Sequence, residues 1–242
     1  MPASGRLRRS DTLKLLAPDV GRVNRKCREL CLMTGIDSRA GETSSLDIIT
    51  HVAGQAVAAS PRSAVAHMGQ AMVLRAQGRF EEAIRAYDAV LTLNRNFVPA
   101  YANIAYAKLT AGSTEDTIPL VEQAIRASAR DPTVGNWYDL IGEAHLLQSR
   151  TDEAIIWLER ARSAIPTHAA IRAHLASAYA LDGETQRAAT ELTEARKLSS
   201  NDRYTSLARL QAVVGYWGVP KLRALFEATY FAGLRKAGMP EE

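Results

Sequence analysis

The sequence predicts an all-α chain: a right-handed superhelical solenoid of about four helix–turn–helix repeats, with a preceding half repeat and C-terminal capping helices. Three observations carry this. Small and bulky residues recur at a 34-residue beat through the middle of the chain. Glycines fall between paired helical stretches, where a tight turn needs them. Almost no segment shows the alternation of a strand.

The repeats follow in order. Ala56 and Pro61 keep the spacing of a repeat's second helix, so residues 45–60 read as a broken half repeat. A copy from Ala64 places Ala71, Leu74, Gly78, Phe80, Ala83, Tyr87 and Val90 in phase. A copy from Val98 gives Tyr101, Ile104, Ala105, Gly112, Val121 and Ala124, with Thr117 where a small Ala is usual. It runs about three residues long before the next copy. The third, from Gly135, reads Tyr138, Ile141, Gly142 and His145, then Ala154, Leu158, Ala161 and Pro166. The fourth, from Ala169, supplies Arg172, Leu175, Ala176, Tyr179, Gly183, Ala188, Leu192 and Ala195. Ala or Gly lets two helix backbones approach, and the larger neighbour fills the hole beside the crossing. This pattern resembles the tetratricopeptide (TPR) repeat, whose units bury their seam only by stacking on neighbours.

Beyond residue 202 the pattern fades. Residues 203–214 and 219–237 each read as an amphipathic helix, separated by Gly215-Tyr216-Trp217-Gly218. Leu222, Leu225, Phe226, Tyr230 and Gly233 form one stripe of the last helix, with Thr229 its one polar member. It is expected to cover the exposed seam of the fourth repeat, or else to dock on another subunit. Three regions follow: a basic segment 1–43 expected to be disordered, repeats over 44–202, and capping helices over 203–242.

Charge divides along the same line. Residues 1–43 hold nine Lys/Arg against five Asp/Glu, while the remainder holds 21 of each. A neutral repeat body releases few counterions, which disfavours nucleic acid as its partner. No apolar run is long enough to span a bilayer, and nothing after Arg8-Arg9 is apolar enough for a signal, so a cytoplasmic location is expected. Cys27 and Cys31 have no histidine nearby and no second pair, which argues for reduced thiols rather than a metal site.

No phosphate-binding loop, dinucleotide fingerprint or nucleophile elbow is present. His51, His67, His145, His168 and His174 lack metal-ligand spacing, and His145 sits where the repeat packs an aromatic. No catalytic residue, metal or cofactor is therefore expected. The TPR resemblance implies a concave groove lined by the first helix of each repeat. On that line fall Met68 and Met72, Tyr106, Asp139 and Glu143, and Ser177. These six are the expected partner contacts: a largely apolar groove with one acidic spot, suited to a peptide or helix with an apolar stripe and a basic residue. The alternative occupant is the chain's own C-terminal helix.

Two stretches go further. Arg130–Pro166 and Val214–Glu242 resemble the C-terminal TPR region of bacterial class III adenylate/guanylate cyclases, and related tails follow winged-helix domains in bacterial regulators. In that family the tail is regulatory or scaffolding. The segment before the repeats has no cyclase catalytic arrangement, so no catalytic residue carries over. The function expected is a non-catalytic protein-interaction module or scaffold. The alternatives are the regulatory portion of a split or truncated cyclase system and the remnant of a winged-helix regulator. A homodimer through the half repeat is a further expectation.

Overall fold

In the computed structural model the described residues are 43–213 and 219–242, and among them every regular element is helical. The basic segment 1–42, with both cysteines, and Gly215-Tyr216-Trp217-Gly218 lie outside the described residues. The chain divides into two units, 1–100 and 101–242.

In the first unit, α1 (Thr43–Ala59) packs on α2 (Ala64–Ala76), which packs on α3 (Phe80–Leu93). Ser63 caps α2, its hydroxyl accepting the Ala66 N–H at 3.3 Å and so satisfying one orphan donor of the first turn. Ala71 and Ala83, the small residues of the seam, are fully buried, as are Tyr87 and Val90. The amide of Gln77 reaches back to the Thr50 hydroxyl at 2.7 Å, tying the end of α2 to α1.

The helix α4 (Val98–Thr110) spans the division and leads into the second unit. There follow α5 (Thr114–Ala127), α6 (Val134–Leu147), α7 (Thr151–Ala164), α8 (Ala169–Asp182) and α9 (Thr185–Leu198). Neighbours pack in sequence: α5 on α6, α6 on α7, α7 on α8 and α8 on α9. Thr117, unusual at its seam position, is fully buried but not orphaned: its hydroxyl donates to the carbonyls of Ser113 and Ala105 at 3.3 and 3.4 Å. The added residues of the second copy sit mainly in the connection 128–133 between α5 and α6.

The turn inside each repeat has one recurrent geometry. Gly78, Gly112 and Gly183 take φ of +72°, +85° and +89° at equivalent positions. In the third repeat Ser149 adopts φ +59° there, a left-handed conformation that a side chain makes costly.

After α9 the chain departs from the sequence expectation of a helix over 203–214. A 3₁₀ turn, Arg203–Thr205, precedes a short helix α10 (Leu207–Val213). The final helical run begins with α11 (Pro220–Phe226), widens to π geometry at Glu227–Phe231 and ends as α12 (Ala232–Lys236). Its apolar side is closed off: Leu222, Phe226, Tyr230, Phe231 and Leu234 are all buried. The tail then returns to α10, where the carbonyls of Pro240 and Glu241 accept the N–H groups of Leu207 and Ala208 at 2.9 and 3.0 Å. First-turn donors that no helix can satisfy internally are thereby paired.

Candidate functional site

The first helices of the third and fourth repeats, α6 and α8, present the line on which Asp139, Glu143 and Ser177 were expected. The structure brings these three together around His174, under the final helical run. The π segment contacts both α6 and α8, and α12 packs on α8. The helix lies on two repeats rather than on the seam of the fourth alone. The chain's own C-terminal helix packs over this part of the line.

The contact is made by backbone as much as by side chains. Ser177 is fully buried and its hydroxyl donates to the Tyr230 carbonyl at 2.9 Å. A widened turn offers carbonyls to outside donors, so a serine at this crossing is well matched. Gly233 follows three residues on. A Cβ placed there would stand 2.1 Å from Ser177 Oγ and 2.5 Å from its carbonyl oxygen, so no larger residue fits without a shift. The Tyr230 ring meets the His174 ring edge-on, centroids 5.1 Å apart.

Beneath that ring His174 Nδ1 lies 2.8 Å from Asp139 Oδ1. Burial pulls the His174 imidazole down, but the charge and hydrogen bond of Asp139 outweigh it and raise its pKa to about 9. Burial pushes the Glu143 carboxyl up to about 7, His174 drawing it down and Asp139 adding to the rise. Of the two carboxylates expected to form an acidic spot, Glu143 is thus buried and holds its proton more tightly than a free carboxyl. Burial likewise raises the Tyr204 and Tyr230 hydroxyls and keeps them neutral. Ser177 and His174 are spent on a helix carbonyl and a carboxylate, an arrangement that locks packing.

Met68 and Met72, in the first unit, are buried; Tyr106 on α4 is half-buried. His145 is buried at its packing position, and burial lowers its pKa. Among the described residues no group of three side chains could hold a metal ion.

A second region escaped the sequence reading. On α7 an open concavity of about 740 Å³ is lined by Tyr138, Ile156, Glu159, Arg160, Arg162 and Ser163, among others. Ile156 is 51 % exposed. Trp157 packs against Tyr138 with the rings tilted by 41° and centroids 5.7 Å apart, and has the Arg160 guanidinium 4.7 Å from its ring centroid. Glu159 accepts the Tyr179 hydroxyl at 2.5 Å and an Arg187 N–H; Tyr179 first, then Arg187, holds its carboxyl below the usual range. Arg162 and Arg172 both engage the buried Glu191. The available signal was repeat phase: at the position of Ile156 the other copies carry Arg85, Pro119 and Thr190.

Comparison with known proteins agrees with the repeat reading. Tetratricopeptide repeat models match residues 64–97 and 103–169. Three solved structures are similar in fold. PilF of Pseudomonas aeruginosa matches over 88% of this chain and 93% of its own, at 14% identity and TM-score 0.61. MamA from Desulfovibrio magneticus RS-1, residues 41 to the end, matches over 75% and 96%, at 18% identity and TM-score 0.57. YrrB, described as a TPR protein with an unusual peptide-binding site, matches over 76% and 90%, at 16% identity and TM-score 0.52. No curated protein sequence matches significantly. At such identities the likeness establishes the fold: an all-helical tetratricopeptide solenoid class.

Proposed function

We propose that this chain, built on tetratricopeptide repeats, is a non-catalytic module that binds a segment of a partner protein. One observation carries the reading. The paired first helices α6 and α8 already hold an amphipathic helix, taking it by a buried aromatic, a close glycine crossing and one hydrogen bond to its backbone. That is how a groove accepts a helical ligand. In 101–242 the line of Asp139, Glu143 and Ser177 serves the chain's own helix, so a partner there would have to present an equivalent stripe and displace it. Met68, Met72 and Tyr106 remain proposed contacts, each on the first helix of its repeat.

The test is affinity capture of the tagged full chain from its native cell extract, followed by titration of the captured protein with purified chain. A saturable complex is the expected result; a chain recovered alone, repeatedly and at high loading, would remove the reading. The finer proposal, regulation of an adenylate/guanylate cyclase, rests on the sequence of Arg130–Pro166 and Val214–Glu242, and a cyclase polypeptide among the captures would support it. Self-association through α1 is also part of the proposal, and a monomer by light scattering at high concentration would eliminate it.

A further inference from the structure

The α7 concavity joins features that packing alone does not require. Ile156 and Leu93 are the large apolar side chains left exposed among the described residues, and Ile156 lies on this concavity. An aliphatic side chain left half in water on a concavity that Tyr138 also lines is a place where burial by another molecule yields free energy. The charges around it are unequally committed. Glu159 is held by Tyr179 and Arg187, and Arg162 by Glu191. Arg160 is exposed and, among the described residues, has the Trp157 ring as its contact and no carboxylate.

The indole contact decides what Arg160 can do. A guanidinium held over an indole by its charge keeps its N–H donors available to a further acceptor. Their fork matches a carboxylate, and part of the entropy of ordering the side chain has already been lost. The uncommitted charge of the concavity is therefore positive and anchored on the Trp157 ring, with Ile156 on the same lining. A nucleic-acid base would need a bare ring face, whereas Trp157 has Arg160 over it and Tyr138 against it.

We propose that the concavity on α7 is a docking site for an acidic segment of a partner protein, a carboxylate pairing with Arg160 while a neighbouring apolar side chain packs on Ile156. This deepens the interaction-module reading and rests on it. It adds to the concave line a second partner surface, whose lining residues come from α6 and α7.

The experiment is selection of short random peptides displayed on phage against the full chain, with fluorescence polarisation of the enriched peptides on wild type, Ile156→Asp and Arg160→Glu. Both positions are exposed, so circular dichroism melts should stay unchanged. Enriched peptides should carry Asp or Glu close to an apolar residue, and each variant should weaken them about tenfold or more. Arg160→Lys, which keeps charge but loses the planar fork, should recover only part of that loss. Peptides that bind all variants equally would overturn this site and leave the interaction module standing. A selection that enriches nothing would count against both. Binding of a single-stranded oligonucleotide that is lost in Arg160→Glu, with no peptide enriched, would overturn the protein-segment assignment.

Discussion

Ser177 and Gly233 meet where α8 and the final helix cross, with the Ser177 hydroxyl bonded to Tyr230 and its carbonyl filling the space a Cβ at 233 would need. Gly233→Ala should therefore destabilise the chain by about 1–3 kcal/mol through overpacking. Ser177→Ala in the same chain should restore little, because the clash includes backbone at 2.5 Å. Thermal melts of the single and double variants check this. A Gly233→Ala chain melting with wild type would mean the crossing is not this tight.

The turn of the third repeat offers a change in the opposite direction. Ser149 holds φ +59° where the other copies have glycine. Ser149→Gly should stabilise by roughly 0.5–1 kcal/mol, the relief of left-handed strain exceeding the added freedom of the unfolded chain. Urea denaturation gives the number. Gly183→Ala, the reverse experiment at φ +89°, should cost about 1 kcal/mol.

Ala154 is fully buried on α7, the helix that packs on α6. Ala154→Asp places an unpaired charge there and should cost several kcal/mol, on the order of 3–5. An unaltered melting curve would contradict the seam assignment.

Stability should fall as pH rises over the range where the buried cluster titrates. Glu143 and His174 both bind protons more tightly folded than unfolded. Each contribution is complete below the unfolded pKa and is lost as pH rises through the folded one. The window for Glu143 runs from 4.5 to about 7, and that for His174 from 6.5 to about 9. Each is worth on the order of 1–3 kcal/mol. His168 acts the other way, since burial lowers its pKa, so the difference between wild type and Glu143→Gln is the informative quantity. Melts across both windows should show Glu143→Gln with a flatter decline through the lower one; parallel curves would exclude Glu143 as the titrating group.

Much of the architecture was legible because a repeat restates its own steric rule. The second helices begin at Phe80, Thr114, Thr151 and Thr185, all at one repeat position, and the first helices begin within one residue of the phased starts. The docking of the final helix was legible only as alternatives: the seam of the fourth repeat, the groove or another subunit. Periodicity identifies the stripe of Leu222, Phe226 and Tyr230 but says nothing about which surface it meets, since Ser177 and Tyr230 are 53 residues apart. The Asp139–His174 pair escaped for the same reason: the two residues belong to different repeats, 35 positions apart. A partner-facing acidic spot and a buried carboxyl–imidazole pair have the same residues in sequence, and only the helix above them separates the two.

A stack in which each unit touches only its neighbours unfolds piecemeal, like a one-dimensional array. The π segment departs from that rule in 101–242 by packing on α6 of the third repeat as well as on α8 of the fourth, the repeat next to it in the stack. Fraying of the third repeat then forfeits contacts of the final helix, and the reverse. Amide hydrogen exchange should accordingly show α6, α8 and the final helix opening as one cooperative block with a shared free energy, rather than a gradient of protection along the chain.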